Sequence, residues 1–258
     1  MCGRFALIAT PREIQAQFAV LDFEDFPPLY NIAPTQPVLM VMAGPPREPG
    51  SNLPARRSLL VRWGLIPGWA KDPKSLPLLI NARSETAAEK AAFRAAMRHR
   101  RALLPASGFY EWRREGGKTG QAYWIRPRHG GPIAFGALVE TWHEPGGSEI
   151  DTGAILTTDA NAAISAIHHR MPVVIKPQDY ERWLDCRGQE PRDVADLMRP
   201  VEPDFFEAIP VSDKVNKVAN TGPDIQERVE PRAAIAAKPV RPSKPSEPSG
   251  PDDQLKLF

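Results

Sequence analysis

Ala102-Leu103-Leu104-Pro105-Ala106-Ser107-Gly108-Phe109-Tyr110-Glu111-Trp112-Arg113 is the stretch that decides the fold class. It holds two short apolar and aromatic segments, 102–105 and 109–113, of the kind that form strands. Proline, serine and glycine punctuate the run between them. Two more strand segments follow at short intervals, 122–126 and 133–140. Outward from there the pattern recurs at 38–42, 58–63, 154–158, 172–175 and 207–211. Strands outnumber helices and most gaps are short. The expected class is α+β: a compact single domain of mainly antiparallel, barrel-like sheets with short helices.

Two helix starts are well marked. Thr10-Pro11-Arg12-Glu13 is a capping box with proline at the first helical position, predicting a helix through about Phe18. Thr86-Ala87-Ala88-Glu89 is a second box, predicting an Ala-rich helix to about His99 with Ala92, Phe93, Ala96 and Met97 buried. Smaller helices are expected at 161–166, 178–184 and 191–198.

Composition bounds the rest. The chain has 258 residues, of which 42% are hydrophobic, enough to bury a sizeable core. Its 29 prolines are spread along the chain, which argues against long helices. A net charge of +2, from 33 basic and 31 acidic side chains, is too balanced to announce a nucleic-acid binder in bulk. Any such site has to be a local basic surface. Cys2 and Cys186 are too few for a disulfide framework, and a reducing compartment fits. Met1-Cys2-Gly3-Arg4-Phe5 puts an arginine where the apolar run of a signal peptide begins. No stretch approaches the ~18 apolar residues of a membrane helix. The expected location is the cytoplasm, associated with the nucleoid, with no membrane partner. Metal-binding spacings such as Cys-x-x-Cys and His-Glu-x-x-His do not occur, so neither a metal nor another cofactor is expected.

Residues 1–228 carry the core patterns and form the expected domain. Residues 229–258 read as a proline-rich disordered tail, with Ser, Lys, Glu and Gly and little to bury. The tail ends in Gln254-Leu255-Lys256-Leu257-Phe258, where large apolar residues return.

Five constellations carry chemistry. Removal of Met1 before the small Cys2 side chain leaves an amine and a thiol on one residue, with reference pKa values of roughly 7.7–8.0 and roughly 8.5. A 1,2-aminothiol condenses with an aldehyde to an imine and then closes a five-membered thiazolidine. An internal cysteine cannot close that ring, because its nitrogen is an amide. Asn81-Ala82-Arg83-Ser84-Glu85-Thr86 places an amide, a guanidinium and a carboxylate before the expected helix N-terminus, where anions bind. Glu111 sits among aromatics, which raises a carboxyl pKa and suits proton transfer. Ile167-His168-His169-Arg170-Met171-Pro172 supplies a proton shuttle and a second phosphate-binding arginine. Arg62-Trp63-Gly64-Leu65-Ile66-Pro67-Gly68-Trp69 offers Trp63, Pro67 and Trp69 for stacking on or wedging between bases, with at least one tryptophan expected in the core.

Together these segments resemble the SOS response-associated peptidase (SRAP) family, whose members shield abasic sites in single-stranded DNA by covalent crosslinking. The matching pieces also include Tyr30-Asn31-Ile32-Ala33-Pro34-Thr35, and all occur in the family's order from residue 2 to about 220. The resemblance implies that Cys2 is the nucleophile, that Asn81 orients the adduct and that Glu111 assists imine formation. It implies that His168 helps open the abasic sugar and shuttles protons, and that Arg83, Arg170 and Arg4 hold phosphates. A monomer is expected, with single-stranded DNA as partner. The rival is a cysteine or N-terminal-nucleophile peptidase using Cys2, Glu111 and His168. Separately, Gln254, Leu255, Leu257 and Phe258 resemble the anchors of the short peptide by which bacterial replication and repair proteins bind the sliding clamp.

Overall fold

A computed structural model describes residues 2–20, 25–46, 50–115, 118–144 and 146–231. The expected tail beyond these residues, with the terminal pentapeptide 254–258, lies outside the described residues. The strands are Phe5–Leu7 (β1), Leu29–Ile32 (β2), Pro37–Ala43 (β3), Arg56–Trp63 (β4), Asn81–Arg83 (β5), Arg101–Ala106 (β6), Gly108–Glu115 (β7), Lys118–Pro127 (β8), Ile133–His143 (β9), Glu149–Asp159 (β10), Arg170–Pro172 (β11), Val174–Ile175 (β12) and Phe206–Val211 (β13). Between them lie the helices Pro11–Phe18 (α1), Arg94–His99 (α2), Ala162–Ser165 (α3) and Tyr180–Leu184 (α4), with several 3-10 turns.

One sheet closes on itself. β10 pairs β4, then β3, β6 and β9 follow, and β9 pairs back to β10, giving a five-stranded ring with β5, β11 and β12 attached. All but the β10 pairings to β4 and β5 are antiparallel. Closure removes the edges of those strands, and the expected barrel-like α+β class is what forms. A second sheet runs β13-β8-β7-β1-β2.

The opening stretch explains how the two sheets join. β6 belongs to the ring and β7 to the second sheet, with only Ser107 between them. Gly108 has φ 154°, and a Cβ there would stand 2.4 Å from the Ile125 carbonyl oxygen and 2.7 Å from the Trp124 ring. Only glycine fits this crossing. Ser107 fixes it by accepting the Ile8 and Ala9 N–H groups at 2.9 and 3.2 Å.

Alternation along β7 then sorts its side chains. Phe109 faces the ring and meets Phe135 and Phe206 edge-on, at 6.0 and 5.5 Å. Phe5, paired opposite Phe109, meets Trp63 at 5.2 Å. Burying each such ring contributes about 1.5–3 kcal/mol. Tyr110 points the other way, into a smaller cluster with Trp124, Val211, Val215 and Ile225. Glu111 returns to the ring-facing side, which is why a carboxylate is buried there.

Three expectations change. The Thr86 box does not start a helix: residues 84–93 form successive turns and α2 begins only at Arg94. Tertiary contacts win over the local signal, because Ser84 N–H bonds the Thr157 carbonyl and Glu85 bonds Arg170. The apolar stripe survives, with Phe93, Ala96 and Met97 buried and Ala92 packed beside them. The segment 172–175 is two strands, because Val173 marks the step from pairing with β10 to pairing with β9. Residues 81–83 are a strand against β10, where a loop before a helix was expected. By contrast the Thr10 box forms in full, with Thr10 Oγ1 accepting Glu13 N–H and Glu13 accepting Thr10 N–H.

Candidate active site

The site is built where the C-terminal end of β10 runs past the ring. There β10 has exchanged its ring partners for β5 and β11. In β5 the residues alternate, so Ala82 is buried in the core and Asn81 and Arg83 share the opposite face. Two hydrogen bonds hold the N-terminal residues between the sheets. Tyr110 N–H of β7 donates to the Arg4 carbonyl at 2.9 Å, and Asn81 Nδ2 donates to the Cys2 carbonyl at 2.9 Å.

Cys2 is buried. Burial, and then the nearby Glu111 carboxylate, push its thiol well above the ordinary range. Glu111 is itself 3% exposed, and burial raises its carboxyl pKa. His168 lies in the turn between α3 and β11, with Nδ1 3.0 Å from the Arg170 N and 3.9 Å from Glu111 Oε1. The exposed His169 ring stacks on it at 4.4 Å. The His168 charge, and secondarily burial, lower the pKa of His169. Asn81 Oδ1 is buried with no hydrogen-bond partner among the described residues. An unmet buried acceptor costs about 1–3 kcal/mol, so it is poised for a donor brought by a ligand. Cys2, Asn81, Glu111 and His168 therefore come together as one cluster.

The expected phosphate contacts are placed less uniformly. Arg83 is exposed, and its side chain makes no hydrogen bond or ion pair to another described residue. Arg4 Nη1 donates to Asn31 Oδ1 and to the Val215 carbonyl, both at 2.9 Å. Arg170 is buried and clasped by Glu85 and Asp159. Of the three residues read as base contacts, Trp63 is a core residue whose indole N–H donates to the Ile80 carbonyl, and Pro67 is also buried. Their apolar surfaces are consumed by packing, which corrects the stacking expectation for both. Trp69 is 59% exposed and remains available. Sequence reasoning passed over Asn31, which gathers the Val215, Lys217 and Asn220 carbonyls, and Asp159, which carries no motif signal.

Raised burial of Glu111 has a measurable consequence. The unfolded chain releases that proton near the ordinary carboxylate pKa, whereas the folded chain holds it to higher pH. Between the two values the folded state binds more protons, so stability falls as pH rises through that window. Below both values there is no penalty, and above both it is complete. Glu111→Gln is therefore expected to raise Tm at pH 7.5 and to leave it unchanged near pH 4. Melting curves of both proteins across that range check this, and equal or lower stability of the variant at pH 7.5 contradicts it.

Among the described residues no group of three or more His, Cys, Asp or Glu side chains is arranged to hold a metal, and no helix is long and apolar enough to cross a membrane.

The family model described as SOS response associated peptidase (SRAP) matches residues 1–218. The chain is 37% identical over 230 residues to the abasic site processing protein YoqW of Bacillus subtilis (strain 168), covering 88% of this chain and 99% of that one. It is 34% identical over 237 residues to the abasic site processing protein YedK of Escherichia coli (strain K12), covering 89% and 100%. It is 29% identical over 268 residues to the abasic site processing protein HMCES of Gallus gallus, covering 89% and 78%. In fold it is similar to a crystal structure of a protein from Bacteroides thetaiotaomicron, with a TM-score of 0.75 at 23% identity over 89% of this chain and 100% of that one.

Proposed function

Because the chain belongs to the SOS response-associated peptidase family, we propose that it processes abasic sites in single-stranded DNA by forming a covalent thiazolidine through Cys2. The observation that carries the reading is the cluster itself: the Cys2 backbone held by Asn81, beside a buried carboxyl of raised pKa and a histidine. Those are the parts an amine–aldehyde condensation uses.

Loss of Met1 frees the Cys2 amine. The abasic sugar opens to its aldehyde beside His168. The amine attacks the aldehyde carbon and one of its protons passes to the oxygen, giving a carbinolamine. Protonated Glu111 gives a proton to the departing hydroxyl, so one water leaves, and the resulting iminium returns its proton to the Glu111 carboxylate, leaving an imine. The thiol then adds to the imine carbon, its proton passing to the nitrogen, and the ring closes. The unmatched Asn81 Oδ1 is a natural acceptor for the new ring N–H or a sugar hydroxyl. Exposed Arg83 faces the phosphates, with Arg170 and Arg4 as further phosphate contacts, and exposed Trp69 meets a neighbouring base. Such a substrate places the protein in the cytoplasm, at the nucleoid.

The peptidase alternative needs a thiolate, hence a lowered thiol pKa. Burial shifts Cys2 the opposite way, which favours amine-first chemistry. Incubation with an oligonucleotide carrying one abasic site, followed by a denaturing gel, is the test. A slow-migrating band that survives heating is expected, and its absence overturns the reading.

A further inference from the structure

Two carboxylates stand at the rim of a site that, on the reading above, receives a polyanion. Glu85 grips Arg170 with both oxygens, Oε1 to Nη1 and Oε2 to Nη2, each at 2.8 Å. Asp159 Oδ1 accepts from Nη1 at 2.6 Å, and the Thr157 carbonyl accepts from Nη2 at 2.6 Å. The Arg170 side chain is 5% exposed, whereas those of Glu85 and Asp159 are 45% and 79% exposed. The outward side of the guanidinium is thus roofed by acids.

The bonds are not equivalent. Those to Asp159 and Thr157 anchor Arg170 within its own sheet, since both partners lie on β10, against which β11 pairs. The Glu85 pair alone spans the fork in the two-pronged manner that a phosphate also adopts. Glu85 belongs to the turns between β5 and α2, outside any strand ladder, so its side chain can rotate away without breaking a sheet. Arg170 would then stay anchored, with its fork open beside exposed Arg83.

We propose that Glu85 is a phosphate stand-in: it occupies Arg170 in the DNA-free protein and is exchanged for a phosphodiester of the arriving strand. This deepens the abasic-site reading and rests on it. The Arg170 backbone N–H donates to His168 Nδ1, a contact that pairing with β10 holds whether or not Glu85 is in place. The empty site avoids a buried cation without a partner, at the cost of one ion pair broken on binding.

The experiment is a double-mutant cycle on binding of an intact, lesion-free single-stranded oligonucleotide, read by fluorescence anisotropy against salt. Glu85→Gln is expected to tighten Kd about two- to fivefold, the worth of an ion pair whose carboxylate is still half in solvent. Glu85→Asp keeps the charge but is too short to span the fork, and should tighten binding in the same direction. With Arg170→Gln also present, Glu85→Gln should gain nothing. Arg170→Gln alone should lower the slope of log K against log salt by about 0.7, one phosphate contact on a single strand. An equal gain with and without Arg170 means that Glu85 acts only through its long-range charge, and overturns the exchange. So does no gain in either Glu85 variant, with melting curves confirming that both are folded. Crosslinking of an abasic oligonucleotide by the unaltered protein is scored in parallel. Its failure removes the underlying reading, whereas its success with a failed cycle removes the exchange alone.

Discussion

Cys2→Ser is expected to leave no heat-stable adduct on an abasic single-stranded oligonucleotide, where the unaltered protein converts most of it. Serine keeps the free amine after Met1 removal, so an imine can still form. Its hydroxyl is a far poorer nucleophile toward that imine than a thiol, and the open imine hydrolyses when the protein is denatured. Sodium borohydride should therefore rescue a band for Cys2→Ser by reducing the imine in place. That pattern, absent without reductant and present with it, separates ring closure from amine attack. The fold should tolerate the change, because the contact that positions residue 2 is its backbone carbonyl on Asn81. A heat-stable band for Cys2→Ser without reductant would falsify the thiazolidine step.

Glu111→Gln is expected to slow crosslinking by about 10²-fold while changing the Kd for intact single-stranded DNA less than twofold. Proton transfer by a positioned acid is worth about 10²–10⁴ in rate. Glutamine keeps the shape but cannot give up a proton at the carbinolamine stage. Glu111 is buried on β7, whereas Arg83 and Trp69, the residues proposed to meet the strand, are exposed, so affinity should not follow the rate. Single-turnover crosslinking and anisotropy on the same preparations separate the two quantities. A matched loss in both would make Glu111 structural. The same substitution is expected to stabilise the fold at neutral pH, and an acid kept at a cost to stability is a hallmark of a chemical role.

The long strands were readable because alternation and β-branched or aromatic content persist over five or more positions, as in 133–140. β1, β2 and β5 were not, because at three or four residues they carry no period and exist only through their partners. Thr86–Glu89 shows the reverse error, a sound local cap signal overruled by Glu85 and Ser84 bonding to another strand. Cys2, Asn81, Glu111 and His168 were nameable from motif order, yet their mutual distances follow from β10 outrunning the ring, which no local pattern encodes. Arg170 reads as a phosphate ligand in sequence, and only the fold reveals Asp159 beside it. Trp63 and Trp69 are six positions apart in one aromatic loop, and burial alone separates core from surface.

The central claim is that one residue supplies both nucleophiles, and intact-mass analysis of the purified adduct tests it most directly. The account predicts a protein beginning at Cys2, joined to the oligonucleotide with loss of one water. After digestion the Cys2 thiol should be closed to iodoacetamide while Cys186 is labelled. An adduct on a chain that retains Met1, or one whose Cys2 thiol still alkylates, would contradict it.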